Sequence, residues 1–175
     1  MKKKKCKICS KLFEPEKPLQ VVCGYLCGLD YSRGIMQRTR KRTNIVEKER
    51  LKTKSDYLNE LQKIFNKYIR LRDKDQPCIS CGTKKDIKYD AGHYISVGSS
   101  PGLRFNEDNV HKQCSNFCNK NQHGNIVAYR FHLLDRIGLE RLEELESQRS
   151  KSLHLSIEDI KELKVVYNSL IKRLV

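Results

Sequence analysis

Two pairs of cysteines enclose a histidine and an asparagine in the middle of the chain. The enclosed residues are His93 and Asn109. Two thiolates that are two or three residues apart on a tight turn can both face one tetrahedral ion, so the spacing favours zinc over disulfides. A zinc ion held by four thiolates has no open position for water, so these cysteines are expected to fix geometry. The pairs are Cys78 with Cys81 and Cys114 with Cys118.

The N-terminal segment carries a second set of four cysteines with the same kind of spacing. So small a piece has few apolar residues to bury, and zinc binding can supply on the order of 10–16 kcal/mol of folding free energy. The eight cysteines of the chain therefore predict two structural zinc sites and a reducing cytosol as the compartment. The N-terminal set is Cys6, Cys9, Cys23 and Cys27.

The elements that must position the enclosed histidine and asparagine are short. Residues 87–94 have the composition of a strand, residues 96–108 contain the glycines and proline of a long loop, and residues 109–113 suit a returning strand. After Cys118, apolar residues recur at helical spacing up to Gly138. The order strand, loop, strand, helix predicts an α+β fold with a small core.

Helical patterns flank this core on both sides. Ser55 is expected to cap a helix that ends near Asp73 and Asp75, and both aspartates are expected to be solvated. Ser156 and Asp159 form a capping-box pattern that opens the last helix. The expected segments are a zinc knuckle over residues 1–30, a basic helical stretch over 31–54, the core over 55–138 and an antiparallel helical pair over 139–175.

The core resembles the ββα-metal (His-Me finger) arrangement of HNH nucleases, in which a histidine ends the first strand and an asparagine begins the second. The resemblance implies that His93 is the general base and that Asn109 pins the loop and orients this base. A neutral imidazole, with a pKa of about 6.5, can take a proton from water at neutral pH and contribute roughly 10²–10⁴-fold in rate. Arg104, in the loop between them, is a candidate for holding the phosphodiester.

The same resemblance implies a divalent cation, Mg²⁺ or Mn²⁺, beside the scissile phosphate. Asp90 is the expected carboxylate ligand. HNH nucleases usually have Asp or His directly before the base, and this chain has Gly92 there. The sequence leaves open which residues after Cys118 complete the site. The candidates are Asn119, Asn121 and His123.

Longer stretches resemble the phage NinG (Rap) recombination endonuclease family over nearly the whole chain. The resemblance implies a structure-selective endonuclease that cuts branched DNA, including Holliday junctions and D-loops, and leaves 5′-phosphate and 3′-hydroxyl ends. It places the protein in the host bacterial cytosol. The matching phrases are Cys78-Ile-Ser-Cys-Gly, Asp90-Ala-Gly-His-Tyr, Leu103-Arg-Phe-Asn-Glu-Asp-Asn, His111-Lys-Gln-Cys and Gly124-Asn-Ile-Val-Ala-Tyr-Arg.

The net charge of +15 is concentrated near the N-terminus, where residues 1–54 hold 16 Lys and Arg against 5 Asp and Glu. Such an excess favours a polyanionic partner, because each phosphate that is neutralised releases counterions. The alternative is that the lysines only keep the protein soluble. His111 is a candidate for a phosphate contact or a metal ligand, or has neither role. The basic residues expected to contact DNA are Arg38, Arg40, Lys41 and Arg42.

Other partners and locations follow from what the sequence lacks. An apolar run near the length of a membrane span is missing, so no membrane segment is expected. Residues 6–22 contain charged side chains where a signal peptide would be apolar.

A homodimer would serve to cut opposed strands of a junction, with the C-terminal helical pair as its interface. Phage recombination proteins are further candidate partners.

Two other functions remain open at this stage. In the first, the core is a non-catalytic scaffold of a zinc-stabilised DNA-binding or recombination adaptor protein, and Gly92 is the residue that favours this alternative. In the second, the protein is a site-specific HNH restriction or homing enzyme, which predicts fixed cut positions on linear duplex DNA.

Overall fold

The computed structural model describes residues 2–175, which divide into two compact units with the boundary between Lys52 and Thr53. The first unit begins with a short antiparallel pair, β1 (Lys4–Lys5) and β2 (Leu12–Phe13). A single long helix, α1 (Tyr25–Arg50), follows. The basic stretch is therefore helical as predicted, but its helix begins inside the expected zinc knuckle.

The second unit mixes helices with a two-stranded sheet, which confirms the predicted α+β class. Two short 3-10 turns and one wide π-helical turn connect the regular elements. These elements are α2 (Lys54–Arg72), β3 (Tyr89–His93), the 3-10 turns Pro101–Leu103 and Glu107–Asn109, β4 (Val110–Cys114), the π turn Ser115–Asn121, α3 (Ile126–Ile137), α4 (Leu139–Ser147) and α5 (Ile157–Leu174).

Strands β3 and β4 pair antiparallel, with Tyr89 opposite Cys114 and His93 opposite Val110. Both strands were predicted, although β3 is shorter than expected and β4 begins one residue later. Asn109 lies in the 3-10 turn that precedes β4, and its side chain bonds the backbone of Ile95, just after β3. The end of the first strand and the start of the second thus lie side by side.

The start of α2 differs from the prediction. Thr53, not Ser55, caps the helix: its hydroxyl accepts from the backbone N–H of Asp56 at 3.3 Å, and the Asp56 carboxylate accepts from the Thr53 N–H at 2.8 Å. A cap at Ser55 would leave this reciprocal pair unused. The capping box predicted for α5 is confirmed, since Ser156 and Asp159 bond each other's backbone N–H groups.

Two apolar clusters stabilise the second unit, and they separate the last two helices. One cluster joins α2 and α5 around Ala91 and Val110, with Phe65 and Tyr167 stacked edge to face at 5.0 Å. The other joins α3 and α4 around Tyr94. The predicted antiparallel pairing of α4 with α5 is therefore wrong. The reason is that α2 provides a larger packing surface for the apolar face of α5 than the short helix α4 does.

Asp73 is buried at the end of α2, contrary to the expected solvation, while Asp75 is exposed. Arg72 donates to both carboxylate oxygens, at 2.7 and 3.0 Å, and the backbone N–H of Lys112 donates to one of them at 3.0 Å. Burial opposes ionisation, but the bonds and charge of Arg72 outweigh it and lower the pKa of Asp73. The carboxylate thus ties α2 to the middle of β4.

Asp73→Asn is expected to lower the free energy of unfolding by about 3 kcal/mol, because it removes the buried charge that Arg72 pairs with most closely and leaves only the Glu107 carboxylate, 3.6 Å away. Urea denaturation would measure the loss, with Asp75→Asn as the matched exposed control. Because the folded pKa is lowered, the wild-type advantage is present above the ordinary carboxyl pKa of about 3.9 and is lost as the pH falls through the folded value. Equal stability of Asp73→Asn and wild type at pH 7 would contradict this account.

Within residues 2–175, no helix is both long enough and apolar enough to cross a membrane.

Candidate active site and zinc clusters

The N-terminal cysteines come together as the sequence predicts. In the first cluster, formed by Cys6, Cys9, Cys23 and Cys27, all four sulfur atoms lie within 4.8 Å of one another. Neighbouring sulfurs are 3.6 Å apart in two cases, close to the separation of about 3.8 Å that Zn–S bonds of about 2.3 Å give in a tetrahedron. These residues fit a structural zinc ion.

The second cluster, formed by Cys78, Cys81, Cys114 and Cys118, satisfies the same distance limit. Three of its cysteines are buried, and only Cys81 is exposed. Backbone N–H groups point at the sulfurs, with Cys114 donating to Cys78 and Cys118 donating to Cys114, each at 3.3 Å. The cluster joins the 78–82 turn to the end of β4 and to the π turn, so a zinc ion there would hold in place the turn that carries Asn119.

His93 ends β3 and is held by one strong contact. Its Nε2 lies 3.0 Å from the backbone carbonyl oxygen of Arg104, which can only accept, so the proton is assigned to Nε2 and the lone pair to Nδ1. Burial lowers the pKa of His93, and the nearby Arg104 charge acts in the same direction. The imidazole is therefore neutral at pH 7, with Nδ1 able to accept a proton.

Asn109 is fully buried beside this histidine and uses its whole side chain. Its Oδ1 accepts from the N–H of Ile95 at 2.8 Å, and its Nδ2 donates to the carbonyls of Ile95 and Leu103 at 2.9 and 3.1 Å. Leu103 immediately precedes the carbonyl that holds His93. The Asn109 side chain thus bonds both the chain that follows His93 and the loop whose Arg104 carbonyl contacts it.

An open groove of about 550 Å³ runs past the end of β3. It brings His93 together with two of the predicted metal ligands, Asn119 and His123. Asn121 is exposed and does not line the groove, so of the two residues that the sequence left open, His123 is the one near the candidate base. His123 has a backbone φ of 48°, in the left-handed region.

Asp90 does not line the groove itself, but it is hydrogen-bonded to Asn119, which does. One carboxylate oxygen accepts from the hydroxyl of Ser115 at 2.6 Å and from Nδ2 of Asn119 at 3.1 Å. Partial burial opposes ionisation, but these two hydrogen bonds outweigh it and lower the pKa of Asp90. Asp90 is therefore an ionised carboxylate that is hydrogen-bonded to a groove-lining amide. Carboxylate and amide oxygens are the kind of ligand that Mg²⁺ prefers.

The side chain of Gln113 occupies the space that a side chain at position 92 would need, so this position requires a glycine. A Cβ at position 92 would overlap the Gln113 Oε1 atom and lie 2.9 Å from its Cδ. Gln113 cannot move aside easily, since it is fully buried and its Nε2 donates to the Ser80 hydroxyl at 2.6 Å and the Gly124 carbonyl at 2.5 Å. The position directly before His93 is therefore filled by a side chain from the opposite strand.

Gly92→Ala is expected to cost about 1–3 kcal/mol of stability, because a methyl group must be forced into a fully packed site. The shift would displace the backbone next to His93, so DNA cleavage should fall as well. Thermal unfolding would measure the first effect. Gly98→Ala is the matched control, because a Cβ there meets no atom within 4 Å. If both variants were as stable as wild type, the packing explanation for Gly92 would be wrong.

Two residues assigned from the sequence lie elsewhere than expected. The Arg104 side chain donates to Gln62 at 2.7 Å and to Asn59 at 3.4 Å, so its carbonyl, not its guanidinium, serves the site. His111 is 3% exposed and packs against Tyr129, and burial lowers its pKa to about 3. A buried neutral ring cannot reach DNA, so the predicted DNA contact of His111 is not supported by its position.

Arg149 is a groove residue that the sequence did not reveal. It follows α4, is exposed, and lines the groove together with His93. No motif marks it, because its place depends on how α4 packs on α3. The basic residues expected to contact DNA, Arg38, Arg40, Lys41 and Arg42, are all exposed on α1.

The comparisons with known proteins agree on one family. The family model described as "Bacteriophage Lambda NinG protein" matches residues 1–175. A Protein ninG of Escherichia phage lambda is 43% identical over 129 residues, which is 74% of this chain and 62% of the relative. A Protein ninG of Escherichia phage 933W is 35% identical over 193 residues, covering 98% of this chain and 94% of the relative.

A third relative, the Protein ninG of Salmonella phage P22, is 41% identical over 129 residues, or 74% of this chain and 63% of the relative. The matched region thus spans less than two thirds of the lambda and P22 proteins. No solved structure matches the chain. Since the family model covers the chain from end to end and these relatives are more than 30% identical, the chain belongs to the bacteriophage NinG family.

Proposed function

We propose that this protein is a metal-dependent, structure-selective DNA endonuclease of the HNH type that cuts branched DNA, such as Holliday junctions and D-loops, during phage recombination. The observation that carries the proposal is the state of His93. The Arg104 carbonyl fixes its tautomer, burial lowers its pKa, and it lines an open groove beside Asn119 and His123. A neutral, oriented imidazole in a groove is the arrangement that a general base requires.

In the proposed reaction, Nδ1 of His93 takes a proton from a water molecule that attacks the phosphorus. The Nε2–H group keeps its hydrogen bond to the Arg104 carbonyl, so the ring does not turn when Nδ1 becomes protonated. Asn109 holds that carbonyl in place through Leu103. In this reaction the bond between the phosphorus and the 3′ oxygen breaks, which leaves 5′-phosphate and 3′-hydroxyl ends.

A divalent cation, Mg²⁺ or Mn²⁺, would stabilise the negative charge that develops on the phosphate and the leaving oxygen. The residues that would hold it are Asp90, Asn119 and His123. Asp90 is ionised, and Asn119 both bonds it and lines the groove. Asn121 is left out, because it is exposed and does not line the groove.

DNA would be gripped through its phosphates, mainly by α1. Its 26 residues have no buried side chain, and its basic residues are exposed, so the helix has little packing role and a large positive surface. Phosphate contacts give affinity without sequence specificity. Assembly as a homodimer stays a proposal, but the helical pair first suggested as its interface does not form.

The proposal is tested by incubating the protein with a synthetic four-way junction and with a linear duplex of the same length, each with Mg²⁺ or Mn²⁺. The expected result is metal-dependent cleavage of the junction with little cutting of the duplex. Fixed cut positions on the duplex would instead indicate a site-specific HNH enzyme. An intact junction under all conditions would reject the nuclease proposal.

A second candidate function is a zinc-stabilised DNA-binding or recombination adaptor protein without catalytic activity. The observation that favours it is Gly92, where the side chain that HNH nucleases usually use as a metal ligand is absent and its space is filled by Gln113. This alternative predicts tight junction binding with both zinc ions in place and no cleavage with any divalent metal.

A further inference from the structure

A second hollow lies next to the groove that contains His93. Its volume is about 470 Å³, and it shares Tyr94, Ile126 and Arg149 with the groove. The two hollows are therefore adjacent, and Arg149 lines both of them. A ligand in the groove therefore lies next to this second hollow.

The second hollow is apolar where it meets solvent. Val127 and Phe131 lie one helical turn apart on α3 and are 87% and 66% exposed. Exposing a phenylalanine ring and a valine side chain together costs free energy in water, and such patches commonly mark binding sites. The Phe131 ring contacts His132 edge to face at 5.5 Å, which leaves its outer surface open.

The charges around the second hollow favour an anionic ligand only where the hollow meets the groove. Arg130 is paired with Glu146 through two hydrogen bonds of 2.9 and 3.2 Å, so these two charges offset each other. The Tyr94 hydroxyl donates to the same carboxylate. Arg149 is exposed and forms none of the ion pairs found among the described residues, although its charge helps to lower the pKa of Glu146. Its guanidinium is therefore accessible where the hollow meets the groove.

We propose that Phe131 and Val127 hold an unpaired base at the branch point of the DNA, while Arg149 contacts the phosphate that connects this nucleotide to the strand in the groove. Aromatic rings bind bases of any sequence by stacking, and apolar side chains are used to hold unstacked steps open. The inference rests on the proposed function and adds the feature that distinguishes branched DNA from duplex DNA.

The test measures binding alone, so that it does not depend on cleavage. A duplex with one bulged adenosine is compared with the same duplex in which the bulge is an abasic sugar, which has the same bend but no base. All proteins carry His93→Ala, and no chelator is added, so that zinc stays in place. Affinities are measured for this parent and for the same protein with Phe131→Ala, Arg149→Gln or Phe117→Ala.

The parent should bind the bulged base roughly tenfold more tightly than the abasic bulge, and Phe131→Ala should abolish this difference. Arg149→Gln should weaken binding to both bulges. Phe117→Ala is the matched control, since Phe117 is 56% exposed but lines neither hollow, and it should change nothing. An unchanged base preference in Phe131→Ala would overturn the inference and leave this patch as a protein-docking surface.

The outcomes separate this inference from the proposed function. Junction cleavage by wild type together with an unaltered base preference in Phe131→Ala would reject the base platform and keep the nuclease. A base preference that depends on Phe131 in a protein that never cleaves would keep the platform and reject the nuclease. Absence of any preference for the bulged base in the parent would reject the platform directly.

Discussion

Replacing Cys118 with serine is expected to release one zinc ion per chain and to abolish the folded candidate active site. Structural zinc sites contribute about 10–16 kcal/mol to folding, whereas a whole domain is typically stable by only about 5–15 kcal/mol. The second cluster holds the 78–82 turn, the end of β4 and the π turn, so its loss releases Asn119, which lines the groove. Elemental analysis and thermal unfolding would measure the effect.

Cys23→Ser is the matched variant for the first cluster. It should also reduce zinc from two ions per chain to one, but the second unit has its own two apolar clusters and should keep its thermal transition. DNA affinity should fall in this variant, because the first cluster includes Cys27, in the first turn of the basic helix α1. A Cys118→Ser protein that unfolds at the wild-type temperature would contradict a structural role for the second cluster.

Asn109→Asp is expected to be among the most damaging isosteric changes in the chain. The aspartate keeps an oxygen that can accept from the Ile95 N–H, but it places a second oxygen against the carbonyls of Ile95 and Leu103, which now face an acceptor instead of a donor. A buried charge with a single donor is costly, and a loss of about 3 kcal/mol or more of stability is expected at pH 7.

Cleavage should be lost in Asn109→Asp even where the protein remains folded, because the Arg104 carbonyl that orients His93 is held through Leu103. Asn106→Asp is the matched control. Asn106 uses only its Oδ1, which accepts from the N–H groups of Asp108 and Asn109, so an aspartate serves equally well there. Chemical denaturation and a cleavage assay on both variants would separate a specific effect of Asn109 from a general effect of added charge.

Features set by neighbours in sequence could be predicted, and features set by packing could not. The two cysteine clusters follow from local spacing, because two thiolates on one turn face the same point. His93 and Asn109 were singled out by the resemblance to HNH nucleases, and the predicted strands place them close together. By contrast, the cap of α2 was placed two residues late, since Thr53 and Ser55 are both good N-caps and only the reciprocal bond with Asp56 selects one.

The larger errors concern residues whose surroundings come from distant parts of the chain. His111 and Asp73 are polar and were expected near solvent or DNA, yet the packing of α2 and α3 on the sheet buries both. The amphipathic pattern of α5 shows that it has an apolar face, but not that this face packs on α2 rather than α4. Arg149 reaches the groove only through such packing, so no local pattern marks it.

Gly92 was the weakest point of the sequence interpretation, and the structure gives it a physical cause. The glycine is required because Gln113 fills the space that a side chain at this position would need, and Gln113 is fixed by Ser80 and Gly124. This arrangement is compatible with either function, since it removes one expected metal ligand while leaving His93, Asp90, Asn119 and His123 in place.

The central claim is that His93 activates water for DNA cleavage, and one measurement tests it most directly. Single-turnover cleavage of a four-way junction with Mg²⁺ is compared between wild type, His93→Ala and His132→Ala, and junction binding is measured in parallel. The account predicts that His93→Ala binds normally but cleaves roughly 10²–10⁴-fold more slowly, while His132→Ala matches wild type. Cleavage by His93→Ala at the wild-type rate would contradict the account.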